Sequence, residues 1–214
     1  MRLCLRVSGE LLSTLGVVVL GFLAYMYWGT AVRASAAQQV FARELASEWS
    51  GGSELAALTG PGDVSLGKPF ALLRIPQLGS SWQFAVVQGT GLSQLALGPG
   101  HEPGTALPGQ VGNFVVAGHR VTGGNPFWRL PSLHEGSLII VETINASYEY
   151  KITGRPRSVP ADDTAVTAPV PYHPGERARL SMITLITCDP AWSGTSRVVV
   201  TGVLLRALPR QQGS

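Results

Sequence analysis

The sequence predicts an all-β domain, a small closed β-barrel with short helices, preceded by one N-terminal transmembrane helix. Three observations predict it. Short β-branched and apolar runs recur from Pro69 onward, each bounded by glycine or proline. Glycine (26) and proline (15) are abundant but follow no period, which suits many turns between short strands rather than an internal repeat. Leu11 to Trp28 carries no charge at all. With 214 residues there is room for one domain of ordinary size and an appendage.

The appendage comes first. Leu11–Trp28 as helix spans ~27 Å, and continuation through Ala31-Val32 reaches the ~30 Å of a bilayer core. The expected span is therefore 11–32. Arg2 and Arg6 precede it, which puts residues 1–10 in the cytoplasm and everything beyond the span outside. Tyr25, Tyr27 and Trp28 fall where an outer aromatic belt would sit. Ala34-Ser35-Ala36 has the small-x-small form of a signal-peptidase site, but the apolar run exceeds the usual ~7–15 residues of a cleaved signal. An uncleaved anchor is the expectation. Cys4 and Cys188 then lie on opposite sides of the membrane and cannot pair, leaving a free thiol on the exported domain.

Residues 33–68 are expected to be an extracellular stalk. Val40, Phe41 and Leu45 give a weak helical stripe within Arg33–Trp49, and Gly51-Gly52-Ser53 and Gly60-Pro61-Gly62 break regular structure. The other reading of the stripe is an extra helix packed on the barrel. The barrel itself is expected over 69–208, with 209–214 as a tail.

Within it, Phe70–Ile75 and Trp82–Val87 flank a Pro76/Gly79 turn, and a short helix is expected near Leu92–Leu97. A proline- and glycine-rich loop, Gly98–Gly109, leads into Asn113-Phe114-Val115-Val116. Leu138–Ile144 is a further apolar run. Tyr148, Tyr150 and Ile152 alternate with Glu149 and Lys151, a strand with one face inward. Val159–Arg179 reads as a long loop, in which Asp162-Asp163-Thr164 can cap one helical turn. Met182–Thr187 and Val198–Leu205 are the last two strands. The count is seven or eight, which suits a small closed barrel.

The chemistry sits at the ends of these runs. The strand through Thr187 ends at Cys188, and Pro190 stops it from continuing. Arg197 opens the next run, and two strands joined by a short polar loop are ordinarily antiparallel neighbours, so Cys188 and Arg197 face each other across it. A cation beside a strand-end thiol favours thiolate. Ala117-Gly118-His119-Arg120 closes a third run. A histidine, a cysteine and an arginine thus each sit at a strand end. Arg120, adjacent to His119, is expected to point the other way, in a structural or a surface role. Asp189 is expected to be a turn residue, and His101, His134 and His173 to lie on the surface.

The order His119, Cys188, Arg197 and the phrases AGHR, TLITCDP and SRVVVTG resemble the sortase family of cysteine transpeptidases. GTALPGQVGNFVVAGHR followed by TLITCDP is most similar to the class E sortases of high-GC Gram-positive bacteria. The resemblance covers Phe70 to Leu208 and implies an eight-stranded barrel. It implies that Cys188 forms a thioester, that His119 shuttles protons to the leaving and from the incoming amine, and that Arg197 binds the oxyanion. Thr187 matches the family's TLxTC pattern as a groove residue. Glu102 stands where class E relatives have tyrosine in GHYPGTALPG, at a position associated with reading the signal.

The implied function is a membrane-anchored transpeptidase that cuts an LPxTG- or LAxTG-like signal between threonine and glycine. Its partners would be signal-bearing secreted proteins and a peptidoglycan precursor amine. No metal or organic cofactor is required. A pilin-polymerising sortase and a non-catalytic barrel that binds wall peptides are the alternatives. A papain-type hydrolase is disfavoured, since there cysteine precedes histidine. A net charge of +3 without a basic cluster gives no nucleic-acid footprint.

Overall fold

A computed structural model describes residues 2–25, 29–51 and 63–210. The expected aromatic belt at Tyr27 and Trp28, the breaks at Gly52-Ser53 and Gly60-Pro61-Gly62, and tail residues 211–214 lie outside the described residues.

Nine strands follow two long helices. They are β1 (Pro69–Arg74), β2 (Gln83–Gln88), β3 (Gly100–His101), β4 (Gly112–Ala117), β5 (Leu138–Glu142), β6 (Ala146–Ile152), β7 (Arg157–Pro160), β8 (Ser181–Asp189) and β9 (Ser196–Pro209). The hydrogen-bonded order is β6-β5-β1-β2-β3-β4-β8-β9, and β9 pairs back onto β6. Eight strands therefore close a barrel, and β7 lies beside the first four residues of β9 as a ninth strand. Pairs β2–β3 and β4–β8 are parallel and the rest antiparallel. The strands invisible in the sequence, β3 and β7, are two and four residues long; β3 lies within the expected Gly98–Gly109 loop, and β7 runs into the start of the expected Val159–Arg179 loop.

Side-chain alternation gives β8 and β9 two distinct faces. Ile183, Leu185 and Val200 point inward to a core shared with Phe114, Tyr150 and Ile152. Cys188, Ile186 and Thr184, with their partners Arg197, Val199 and Thr201, form the outer face. The expected capped turn is present: Thr164–Thr167 is a 3-10 turn, and the Asp163 carboxylate accepts from Ala165 N at 3.0 Å. Leu92–Leu95 forms a third, four-residue helix near the expected place.

The first helix, α1 (Arg2–Ala24), begins before the expected span. Its stretch long and apolar enough to cross a membrane is Arg6–Ala24, and Ala31-Val32, expected to complete the span, belong to the next helix instead. The second, α2 (Thr30–Gly51), is docked on β1 and β2, so this part of residues 33–68 follows the packed-helix reading. Ala34 and Leu45 are fully buried. Gln38 bridges two segments, accepting from Ala85 N at 2.6 Å and donating to Ala85 O at 3.2 Å and Leu97 O at 3.0 Å.

Candidate active site

Cys188 and Arg197 are register partners on β8 and β9, both half-buried and both on the outer face. The loop between them turns at Gly194, whose φ of +64° suits glycine. A β-carbon placed there would lie 3.5 Å from Arg197 Nη1 and 3.7 Å from Cys188 Sγ, so Gly194 sits between thiol and guanidinium. Arg197 Nη1 donates to Gly194 O at 2.6 Å and Ser196 O at 2.9 Å. Its Nη2 and Nε have no protein partner among the described residues and remain available to a ligand oxygen.

His119 lies two residues past β4. Its position is set through Gly118: Gly118 N donates to Ile186 O at 3.0 Å, and Thr187 Oγ1 donates to Gly118 O at 2.8 Å. The chain beside His119 is therefore stitched to the two residues before Cys188. Gly118 admits no side chain, since a β-carbon would lie 2.6 Å from the ring of buried Phe127. Gly123, at φ +60°, backs the imidazole, and its β-carbon would lie 3.1 Å from His119 Cδ2. Burial lowers the His119 pKa. No hydrogen bond joins His119, Cys188 and Arg197 to one another among the described residues.

Arg120 and Asp189 complete the arrangement. Arg120 Nη1 donates to Asp189 Oδ1 at 2.9 Å and to Cys188 O at 3.2 Å, while Ser158 Oγ donates to Asp189 Oδ2 at 2.7 Å. The Ser158 hydroxyl, with the Arg120 guanidinium after it, holds the Asp189 carboxyl below the usual range. Arg120 has the structural role expected of it, and Asp189 is more than a turn residue. The signal for this pair was present in sequence only as adjacency, each residue following a catalytic candidate.

The two expected substrate residues fare differently. Thr187 points to the opposite face from Cys188, is 2 % exposed, and has its hydroxyl bonded to Gly118 O, so it fastens strand ends instead of lining a groove. Glu102 follows β3 and is half-buried. Its Oε2 accepts from Thr90 Oγ1 at 2.6 Å, and its backbone N donates to Val115 O. Val115 pairs with Thr184, four residues or ~13 Å of strand from Cys188.

His134 and His173 are exposed as expected, but His101 is not. It is fully buried between Phe70 and Phe114, with Nδ1 2.6 Å from Gln88 Oε1 and Nε2 2.9 Å from Thr105 Oγ1. Glycines on either side suggested an open loop, whereas β3 turns this histidine into the barrel. Asn113 is the other residue the sequence concealed. On the outer face it donates to Val166 O at 3.1 Å and Ala168 O at 3.0 Å and accepts from Thr184 Oγ1 at 2.7 Å. It pins the long loop before β8 over the strands that lead to Cys188. On that face a cavity of about 390 Å3 opens between Val199, Thr201, Tyr172 and Arg157.

A thiol, an imidazole and a guanidinium at one barrel end can form, shelter and release an acyl-sulfur intermediate. A model of the sortase domain family matches residues 73–205. Sortase SrtE1 of Streptomyces coelicolor is 34% identical over 213 residues, 97% of this chain and 59% of that protein, so the chain spans about three-fifths of this relative's length. Sortase SrtE2 of the same organism is 31% identical over 94% of this chain and 81% of its own. The structure of sortase E from Streptomyces avermitilis superposes with a TM-score of 0.63 at 38% identity, covering 70% of this chain and 96% of that one.

Proposed function

The chain belongs to the sortase family, and on that premise we propose that it is a membrane-anchored cysteine transpeptidase. It cleaves an LPxTG- or LAxTG-like signal between threonine and glycine and transfers the acyl group to a cell-wall amine. The observation that carries this reading is the register pair Cys188–Arg197, with His119 fastened beside it through Gly118 and Thr187.

In this mechanism the Cys188 thiolate attacks the threonine carbonyl, and the carbonyl π electrons move to oxygen. Arg197 meets that oxyanion with the donors its loop does not use. Collapse breaks the C–N bond as His119 gives its proton to the departing glycine amine, leaving a thioester. The acceptor amine then loses a proton to His119 and displaces the thiolate. Two easier steps replace one difficult one, and the energy of the peptide bond is conserved in the thioester.

The anchor is α1, whose Arg6–Ala24 stretch suits a single span. Arg2 and Arg6 at its start favour a cytoplasmic N-terminus and an exported barrel. Glu102 and the cavity beside Val199 and Arg157 would contact the signal upstream of the scissile bond. The test is to incubate the full chain in vesicles with LPxTG and LAxTG peptides and glycyl or diamino-acid amines, and identify products by mass. Amine-joined peptide from wild type and none from Cys188→Ala is the expected result. Equal cleavage by both proteins, or by neither, would reject the reading.

A further inference from the structure

We propose that the catalytic mouth of the barrel faces the bilayer that holds α1, with Trp128 and Trp192 seated among the lipid headgroups; this rests on α1 being a membrane span. The direction of α2 carries the proposal. At its start, fully buried Ala34 meets the loop after His119, where a β-carbon on Gly124 would lie 3.2 Å from the Ala34 side chain. Further on, Glu44 pairs with Lys68 at 3.2 Å, just before β1. Close to its end, the Trp49 ring lies under Arg210 at 4.0 Å, beyond the last residue of β9. The helix thus runs from the catalytic end of the barrel to the opposite end. Its first turn adjoins Gly123-Gly124, and Gly123 backs the His119 ring.

Chain connectivity then limits how far the mouth can stand from lipid. The apolar stretch ends at Ala24 and α2 begins at Thr30. Six residues reach ~20 Å at most when fully extended. A helix docked the other way round would have put the site at the far end of the domain, with the barrel's length between it and the membrane.

The surfaces at the two ends agree with this orientation. Trp192, on the loop between Cys188 and Arg197, is 85% exposed, and Trp128, on the loop after His119, is 54% exposed. Val32, in the first turn of α2, is also exposed. An apolar ring with one N–H donor fits a headgroup layer better than bulk water. Ion pairs occur at both ends, Arg120 with Asp189 at the mouth and Glu142 with Arg210 opposite, so among the described residues it is the exposed tryptophans that mark the mouth. In this orientation a membrane-tethered substrate reaches the thiol without leaving the bilayer surface.

The full chain, labelled with 5-fluorotryptophan and held one copy per lipid nanodisc, provides the test. Its five tryptophan fluorine signals are assigned by single Trp→Phe changes, and a lipid spin-labelled at the headgroup is then added. Trp128 and Trp192 should lose most of their intensity while Trp49 keeps its own. Loss at Trp28, which follows the span in sequence, with Trp128 and Trp192 unchanged would overturn the orientation and leave the anchor standing. If Trp28 is also unchanged, both fall. Equal loss at Trp49 and Trp128 would mean that no end of the barrel is preferred, which likewise overturns the proposal.

Discussion

Arg120 and Asp189 are ion-paired at 2.9 Å between the loop that carries His119 and the strand that carries Cys188. The guanidinium also holds the Cys188 carbonyl, so a single side chain sets the spacing of the proposed acid and nucleophile. Both partners are less than a third exposed, which makes the pair stronger than a solvated surface bridge.

Arg120→Ala should therefore lower kcat with little change in KM. A displacement of 1 Å at a catalytic group can reduce the rate about 10²-fold, and a loss of roughly 10- to 100-fold is expected here. Arg120→Lys should recover part of it. Steady-state kinetics on signal peptide decides this, and a wild-type kcat for Arg120→Ala would remove Arg120 from any positioning role.

Cys188→Ala should abolish transfer without unfolding the barrel, because a half-buried thiol at a strand end contributes little packing. Arg197→Lys keeps charge but loses the fork, with a fall on the order of 10²-fold. Since burial lowers the His119 pKa, the acid limb of kcat/KM should lie below pH 6.5. An acid limb above that value would show that His119 is not the group titrating.

Gly118→Ala should be far more damaging than its size suggests. The added methyl meets the Phe127 ring, which is itself stacked on Trp82 with centroids 6.4 Å apart. Overpacking of this kind costs about 1–3 kcal/mol, and the strain falls one residue from His119. Adding Phe127→Leu should restore activity relative to Gly118→Ala alone. No recovery would place the damage elsewhere than at this contact.

Stability should depend on His101. Burial depresses its pKa from 6.5 to about 4, so the unfolded chain takes up the proton first. Its contribution is complete above pH 6.5, declines as pH falls, and is lost through about pH 4. At 1.36 kcal/mol per pKa unit this is worth ~3 kcal/mol. Urea unfolding at pH 7.5 and 4.5 should reveal the loss, and His101→Gln should flatten it. An unchanged slope in that variant would assign the pH dependence to other groups.

Glu102→Tyr should sharpen discrimination between LAxTG and LPxTG peptides. A carboxylate makes a poor apolar contact, and one added apolar contact contributes about 1–3 kcal/mol. Competition between the two peptides measures it. An unchanged product ratio would mean that Glu102 serves Thr90 alone.

Strand ends were the most legible part of this chain. Pro190 after Cys188, and β-branched runs around it, marked where the strands stop, and antiparallel pairing then brought Arg197 opposite. Short pairings were not legible: β3 and β7 are held by neighbours distant in sequence, and their own residues give no periodic pattern. The same limit applies to Asn113 and Thr187, whose polar atoms are satisfied by partners far along the chain, so local composition carries no trace of those bonds. His101 finds Gln88, Thr105 and Ala106 within 13 residues, but only the fold turns them toward its ring. The docking of α2 depends likewise on Gln38 finding Ala85 and Leu97.

Strand β9 borders β8, β7 and β6 at once, and its seam with β6 joins Ala146 to Pro209. In a growing polypeptide the ring stays open until this last strand arrives. Before then β6 and β8 present bare edges, the kind that recruit neighbouring chains into aggregates. Arg197 lies on the same strand, so the segment that ends this vulnerability also delivers the proposed oxyanion donor. Premature termination upstream of it should yield an insoluble, inert product instead of a weakened enzyme.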